Sequence, residues 1–374
     1  MRFPEFSGEW KCTTIGNIGD IKNGPFGSVL HAEDYVENGI PIVTTEHFKT
    51  GLMPSDKFGI PQVSNEDYIR LKGYRLETND IVFSRVGSVD INAHVGIEQN
   101  GWLFSGRVLR VRPKYDIDSL FLHYALSTEA VKRDIRNRAV GQTMPSINTP
   151  ILSSTTIQLP KDLFEQKKVA HFLRLLDERI ITQNKIIEKL QSLIKGLRVC
   201  CMQRVYGNNV YLSEIAQIYQ PQTISSTELT EDGFLVSGAN GIIGKYKDYN
   251  HETEQICITC RGNTCGMVNY TKPMSWITGN AMVINTDKYQ DKVCKRYLYH
   301  YLSAYNFNSI ISGSGQPQIV RTPLEKLKIT LPTISEQKQK AIIFDKIQDK
   351  IDINHKVLNL YIGQKQYLLR QMFI

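Results

Sequence analysis

A segment that ends in Leu159-Pro160 returns 172 residues later, where it ends in Leu331-Pro332. Further positions align at the same offset, and a charged motif aligns after a one-residue shift. These matches are Pro145 with Pro317, Ile147 with Ile319, Leu152 with Leu324, Ile157 with Ile329, and Glu165-Gln166-Lys167 with Glu336-Gln337-Lys338. A duplicated sequence predicts a duplicated structural unit. We therefore expect the 374 residues to fold as two copies of one unit and not around a single core.

Each copy ends in a charged stretch without proline, from Glu165 to Tyr206 and from Glu336 to Ile374. Mostly apolar residues recur there at alternating spacings of four and three, as in Val169, Leu173, Leu176 and Ile180, and in Ile347, Ile351, Asn354 and Leu358. This spacing predicts the seam of a coiled coil. At 1.5 Å per residue, each helix would be about 55 to 60 Å long and could act as a spacer.

One polar residue interrupts each seam near the midpoint of its helix, Gln183 in the first and Asn354 in the second. If the helices pair antiparallel with full overlap, the two amides lie close together and fix the register. The alternative is that each amide points to water from the edge of its seam.

The parts that precede the helices read as short β-runs separated by turn residues, each part also holding a modest helix. The predicted fold class is α+β, with a twisted or partly closed sheet in each copy. The predicted division is residues 1–160, a helix over 161–206, residues 207–332 and a helix over 333–374.

The sequence contains none of the catalytic patterns that we sought: no nucleophile elbow, no HExxH helix and no amine-binding motif of an amino-methyltransferase. The stretch from Gly238 to Tyr246 resembles a phosphate loop but has Ala239 at the first glycine position and Tyr246 in place of Ser or Thr. Its glycines permit either a plain turn or a close approach to a nucleic-acid groove, with Asn240 as donor and acceptor.

The seven cysteines are sparse and odd in number, unlike a secreted disulfide framework. Cys257 and Cys260 are three residues apart, so in a strand they point to opposite faces and we expect buried thiols instead of a zinc site. His123 and His300 occupy matching positions, which favours a packing role for both. The chain has neither a signal-peptide pattern nor about 18 consecutive apolar residues, so we expect a cytoplasmic protein without a membrane span.

Polar residues on turns are the best candidates for chemistry in this sequence. Arg85-Val-Gly and Arg261-Gly-Asn each follow a predicted strand at comparable places in the two copies. Arginine can bond bidentately to guanine, and asparagine or glutamine to adenine. For each residue the alternative is an ordinary surface turn or an internal ion pair. The full set of predicted DNA contacts is Lys22, Thr44, Thr45, His47, Lys49, Arg85, Gln142, Ser146, Asn240, Lys245, Arg261, Asn263, Gln316, Gln318 and Arg321.

The net charge of +8 resides entirely in the predicted helices, with +5 in residues 165–206 and +3 in residues 336–374. Residues 1–164 carry −1 and residues 207–335 carry +1. Phosphate affinity must therefore come from local patches, from the helices or from a partner, and we expect the isolated chain to bind DNA weakly.

This organisation resembles the specificity (S) subunit of type I restriction-modification systems, the HsdS family, over essentially the whole chain. The resemblance rests on short motifs that occur in order. They are Gly8-Glu-Trp-Lys, Ile15-Gly-Asn-Ile, Gly141-Gln-Thr-Met-Pro-Ser-Ile, Ile157-Gln-Leu-Pro, Gly241-Ile-Ile-Gly, Thr278-Gly-Asn-Ala-Met, Gly315-Gln-Pro-Gln-Ile and Ile329-Thr-Leu-Pro. Gln318 and Val320 replace Ser146 and Asn148 in the second copy, so equal contacts from both copies are not implied.

The resemblance implies two tandem α/β target-recognition domains separated by two long antiparallel coiled-coil helices, in a pseudo-two-fold arrangement. Each domain would read one half of a split double-stranded DNA site. Two modification (methyltransferase) subunits would supply S-adenosylmethionine and adenine-N6 methylation, and restriction (translocase and nuclease) subunits would use ATP and Mg²⁺. The chain itself would be non-catalytic and need no cofactor. The alternatives are a coiled-coil adaptor, a stand-alone DNA-binding protein and a zinc-dependent nucleic-acid enzyme.

Overall fold

A computed structural model describes residues 2–25, 29–114, 116–203, 206–238, 240–313 and 315–373, with the side chains of all these except Ala32, Met202 and Gln203. The chain divides into two compact units. The first unit comprises Met1–Thr182 and Leu358–Ile374, and the second comprises Gln183–Val357. Each unit therefore contains one globular part and a section of both long helices.

The globular part of the first unit alternates short strands with five short helices. Its elements are β1 (Lys11–Thr14), α1 (Ile15–Ile18), β2 (Gly19–Asn23), β3 (Tyr35–Val36), β4 (Ile40–Val43), β5 (Gln62–Val63), α2 (Asn65–Arg70), β6 (Ile81–Ser84), β7 (Asn92–His94), β8 (Leu103–Phe104), β9 (Val108–Pro113), α3 (Ser119–Leu126), α4 (Glu129–Arg138), α5 (Thr149–Ser153) and β10 (Thr156–Leu159). The first long helix, α6 (Leu163–Gln203), follows directly.

The second copy uses the same plan with fewer helices. Its elements are β11 (Asn208–Tyr211), β12 (Gln217–Tyr219), β13 (Phe234–Gly238), β14 (Gly241–Tyr246), β15 (Ile256–Thr259), β16 (Val268–Tyr270), β17 (Ser275–Ile277), β18 (Ala281–Asn285), α7 (Lys295–Ala304), α8 (Arg321–Glu325), β19 (Lys328–Leu331) and α9 (Ile334–Met372). The predicted helix near residues 119–137 is two helices, α3 and α4, because Asp118 caps the first and Thr128 precedes the second.

The two copies share their sheet topology. The main sheet of the first has the order β2-β9-β6-β7, and that of the second has the equivalent order β12-β18-β15-β16, all antiparallel. A second sheet contains a parallel pair, β4 with β8 and β13 with β17. A two-stranded ribbon, β1 with β10 or β11 with β19, closes each part beside its long helix. The predicted α+β class and tandem duplication are confirmed.

The long helices pack against each other through the predicted seam. In the first unit Leu173 and Leu176 of α6 share a buried cluster with Leu368 of α9. In the second, Ile194 clusters with Phe344 and Ile351. Within each unit later residues of α6 contact earlier residues of α9, so the helices are antiparallel there.

The repeated Glu-Gln motif fastens each long helix to its own globular part. The Gln166 side chain donates to the Pro160 carbonyl (3.0 Å) and accepts from the Asp118 amide (2.9 Å) at the start of α3. Gln337 does the same with the Pro332 carbonyl (2.9 Å) and the Cys294 amide (2.8 Å) before α7. Both glutamines are buried, so losing either would leave backbone groups unpaired.

No described helix is both long and apolar enough to cross a membrane. The described residues also include no cluster of three or more His, Cys, Asp or Glu side chains placed to hold a metal ion. Cys257 is buried in β15, where burial raises the pKa of its thiol to about 12, as expected for a packed thiol.

Candidate nucleic-acid interface

Three loops meet at one end of the main sheet in the first unit. The Arg85 amide, just past β6, donates to the Arg107 carbonyl (2.9 Å) in the turn between β8 and β9. The Gly87 amide donates to the Pro145 carbonyl (2.8 Å), and the Ile147 amide donates to the Arg85 carbonyl (2.9 Å). The duplicated Pro-containing segment therefore packs against the strand end that carries the predicted arginine.

The second unit repeats these three hydrogen bonds. The Cys260 amide donates to the Asn280 carbonyl (3.2 Å), the Gly262 amide to the Pro317 carbonyl (3.0 Å), and the Ile319 amide to the Cys260 carbonyl (3.0 Å). We call the arrangement the three-turn platform. It comprises residues 85–87, 105–107 and 140–147 in the first unit, and residues 260–262, 278–280 and 312–319 except Ser314 in the second.

Glycine is required at one point of the platform because the backbone takes a left-handed conformation there. Gly87 and Gly262 have φ angles of 82° and 83°. Only glycine adopts such angles without appreciable steric cost. The matching conformations explain why a glycine recurs after β6 and β15, and they present the neighbouring side chains on a turn of the same shape.

The two arginines singled out from the sequence are not equivalent, and the expectation of comparable places is wrong by one residue. The hydrogen bonds show that Arg85 in the first copy is structurally equivalent to Cys260 in the second, and Val86 to Arg261. Since consecutive residues of an extended chain point to opposite sides, the two side chains differ in direction. Arg85 is half-buried and donates to the Gly106 carbonyl (3.1 Å), whereas Arg261 is exposed and pairs through its backbone with Gln318.

A cleft of about 480 Å³ opens beside the platform of the first unit. It brings together Thr44, Thr45 and Arg85, three of the predicted DNA contacts. Ser105 also lines it, and the Ser105 Oγ is buried without a hydrogen-bond partner among the described residues. A buried hydroxyl without a partner is costly, so this atom is available to an incoming polar group.

Other predicted contacts of the first unit already have internal partners. The Lys22 ammonium lies 5.1 Å from the centre of the Tyr74 ring, and Lys49 forms an ion pair with Glu46 (2.5 Å). Burial lowers the pKa of His47, and its Nδ1 accepts from the Thr44 amide (3.0 Å). His47 and Lys49 belong to the loop after β4, whereas Lys22 lies on β2.

The duplicated hairpin carries the remaining predicted contacts of the first unit. Gln142 is exposed at the tip of this hairpin, while Ser146 is half-buried, and its Oγ donates to the Val140 carbonyl (3.3 Å). Gln142 is therefore freer than Ser146 to reach a ligand.

In the second unit most predicted contacts lie on three loops: the β13–β14 turn, the loop after β15 and the Pro-containing segment before α8. Thr264 Oγ1 donates to Asn240 Oδ1 (2.5 Å), which connects the β13–β14 turn to the loop after Gly262. Ala239, within the glycine-rich stretch, and Ser314 lie outside the described residues. Exposed residues of the set are Asn240, Arg261, Asn263, Gln316 and Gln318. Lys245 lies 3.6 Å from Asp232, and Arg321 donates to Glu325 (2.7 Å), so both have internal partners.

The two seam amides meet in the second unit. The Gln183 side chain donates to Asn354 Oδ1 (2.5 Å) and to the Asn354 carbonyl (3.2 Å). Gln183 is buried, so its amide does not point to water as the alternative required. Whether the pair fixes the register stays a prediction.

Two further platform residues were not among the predicted contacts, namely Arg107 and Asn280. Each directly follows a glycine in the motifs Ser105-Gly-Arg and Thr278-Gly-Asn. The two segments resemble each other in sequence, but an arginine in one and an asparagine in the other did not indicate a shared role.

Comparison with known proteins agrees with this architecture. A family model described as the type I restriction modification DNA specificity domain matches twice, over residues 7–192 and 208–360. The MjaVIII specificity subunit of a type I restriction enzyme from Methanocaldococcus jannaschii is 25% identical, over 95% of this chain and 89% of its own. The putative MjaX specificity subunit from the same organism is 28% identical, over 94% and 90%.

Among solved structures, the S subunit of a type I restriction-modification system from M. genitalium aligns with a TM-score of 0.67 at 17% identity, covering 100% of this chain and 99% of the other. A structure described as the basis of complex assembly and conformational transition of a type I system aligns at 0.58 with 14% identity, covering 99% and 98%. At these identities the structural likeness speaks for the fold.

Proposed function

The chain belongs to the type I restriction-modification DNA specificity family, and from this premise we propose that each of its globular parts reads one half of a split DNA site. The chain is the specificity subunit of such a system. In the finer proposal, α6 and α9 set the distance between the half-sites and bind the modification subunits.

The observation that carries this proposal is the three-turn platform, which occurs once in each unit with the same hydrogen bonds. Both copies present polar side chains on rigid turns, but the side chains differ: Arg85 and Gln142 in one, Arg261 and Gln318 in the other. A shared backbone with unlike side chains suits two readers of unlike sequences, because base identity is read by side-chain donors and acceptors.

The surfaces of the long helices support a role in assembly. Several large apolar side chains lie exposed there, including Ile343, Ile353 and Leu360 of α9, the last 72% exposed. These exposed apolar side chains are available for an interface with another protein. In the complex the modification subunits would hold S-adenosylmethionine and methylate adenine N6, and restriction subunits would use ATP and Mg²⁺. This chain would contribute sequence choice and the surface on which the complex assembles.

The test is genome-wide mapping of N6-methyladenine in cells that express the modification partner with and without this chain. We expect a split motif with a fixed spacer only when both are present, because the reader and the methyltransferase are separate chains. A motif that persists without this chain, or methylation that lacks a split motif, would contradict the proposal.

A further inference from the structure

Arg107 and Asn280 occupy the same position of the fold. Val108 pairs with Ser84 and Ala281 with Thr259, so the residues just before β9 and β18 correspond. The carbonyl of each accepts the platform hydrogen bond, from Arg85 in the first unit and from Cys260 in the second. The position is therefore part of the platform in both copies.

The backbone at this position packs closely against a neighbouring segment of the chain. A Cβ on the preceding Gly106 would lie 2.2 Å from the Pro25 carbonyl oxygen, and one on Gly279 would lie 2.5 Å from Thr223 Oγ1. Both turns thus press against the segment that follows the first strand of the main sheet, where no side chain fits. Because the turn is closely packed, the backbone from which the side chain extends has a fixed position. A side chain that is to recognise a base requires such a position.

The Arg107 guanidinium differs from its neighbours in having no hydrogen-bond or ion-pair partner among the described residues, and its charge interacts with Tyr35, which also lines the cleft. The nearby Arg110 and Arg112 form ion pairs with Asp20 and Asp80, and Arg85 donates to the Gly106 carbonyl. Arg107 is exposed at the cleft and makes no hydrogen bond or ion pair with any described residue. Its five donors are thus free for a ligand.

Asn280 is likewise exposed, and its side-chain amide has no hydrogen bond within the described part of the chain. Its backbone is fixed by the Cys260 amide, and the adjacent Gly279 carbonyl accepts from Gln220 (3.1 Å). The side chain is therefore a free amide on an anchored turn.

We propose that this equivalent position determines specificity in both half-sites, with Arg107 reading a guanine and Asn280 reading an adenine. The inference rests on the proposed function. The guanidinium matches guanine O6 and N7, and the amide matches adenine N7 and N6 in the major groove. The two units would then use one position with two residue types to read two bases.

The experiment uses the complete modification complex and a library of randomised half-sites. Arg107→Asn should move the preference at one base pair from guanine to adenine, and Asn280→Arg should do the reverse in the other half-site. We expect the preference at each affected base pair to change by about 10- to 100-fold. Arg107→Lys keeps the charge but loses the bidentate fork, so it should weaken the guanine preference without any change in net charge.

Matched controls carry the same substitutions away from the platform, Arg133→Asn on α4 and Asn308→Arg, both at exposed positions. Loss or gain of a charge there should change affinity equally for all sequences and leave the motif unaltered. If the wild-type complex shows no split motif, the proposed function fails. If it shows the motif and Arg107→Asn and Arg107→Lys leave it unchanged, this inference alone is overturned. If Arg107→Asn and Asn280→Arg alter the same half, both this inference and the proposed function are overturned.

Discussion

His300 illustrates how one buried residue joins three helices within the second unit. Its Nδ1 accepts from Arg198 of α6 (2.8 Å), so its Nε2 carries the proton that is donated to Asp345 of α9 (2.7 Å). Arg296, on the same helix as His300, also binds Asp345 (2.9 Å). Burial lowers the pKa of His300, in keeping with a neutral ring that must accept from a permanently charged arginine.

The first unit connects its globular part to the same two helices with different residues. The Tyr124 hydroxyl donates to Asp177 of α6 (2.7 Å), which also pairs with Lys365 of α9 (2.5 Å). His123 is buried beside this pair, with Nδ1 2.7 Å from Asn92 Oδ1, and burial lowers its pKa to about 3. Both histidines are packing residues, as their matching positions predicted.

Because both histidine pKa values lie below the unfolded value of 6.5, acid should destabilise the protein. Well above pH 6.5 the folded and unfolded rings are both deprotonated, so their contribution to stability is present in full. As the pH falls from 6.5 towards the folded pKa values, the unfolded chain binds protons that the fold excludes, and stability is lost. We expect the free energy of unfolding, measured with denaturant, to decline between about pH 6.5 and 5.

The matched variant is the double substitution His123→Gln and His300→Gln, since glutamine can donate and accept but does not titrate in this range. It should reduce the decline in part, because burial also lowers the pKa of His47, His94 and His251. His355→Gln, at an exposed position of α9, should leave the slope unchanged. A double variant with the wild-type slope would show that other groups cause the acid sensitivity.

At the scale of elements, the long helices were the most predictable part of the chain. A seam with alternating spacings of four and three and no proline admits few structures other than a paired helix. The observed bounds, Leu163–Gln203 and Ile334–Met372, lie within about three residues of those predicted. The seam polar residues Gln183 and Asn354 were also predicted to approach one another.

The equivalence of single residues in the two copies was less predictable than the strands and helices that contain them. The strand and the glycine after it were evident around Arg85 and Arg261, as was the different spacing from arginine to glycine. Only the hydrogen bonds show that the two glycines are equivalent and the two arginines are not. A residue that is repeated in both copies of the sequence also need not make the same contacts in both. Glu165 is buried against Arg2 (2.6 Å), whereas Glu336 is exposed and accepts from the Thr333 amide (3.1 Å) at the start of α9.

The amide pair in the seam leads to a prediction about register. Gln183→Ala should lower the free energy of unfolding by about 1 to 3 kcal/mol, because Asn354 then loses its partner. The double variant Gln183→Leu and Asn354→Leu should be at least as stable as the wild type but less specific in register. In the modification complex it should methylate sites of more than one spacer length.

The control for the seam variants is Gln348→Leu on α9, where the half-buried Gln348 side chain donates to Asp352 (3.1 Å) of the same helix. It should keep one spacer length. A seam double variant that also keeps a single spacer length would assign the register to the apolar positions instead of the amides.

For the whole molecule, the distribution of charge separates base recognition by the globular parts from phosphate attraction by the long helices. The globular parts carry −1 and +1, and the positive charge lies in the segments that contain the long helices. Charge attracts phosphates without regard to sequence, whereas the platforms offer side chains that can distinguish bases. Each unit should therefore supply base recognition for one half-site, with assembly providing most of the affinity.

The most direct test of two independent readers is an exchange of residues 1–155 with the equivalent region of a relative that recognises a different site. N6-methyladenine would be mapped in cells that contain the modification partner and either the parent or the chimera. We predict that one half of the motif changes to that of the relative, while the other half remains that of this chain. Methylation in which both halves change, or in which neither does, would contradict the account.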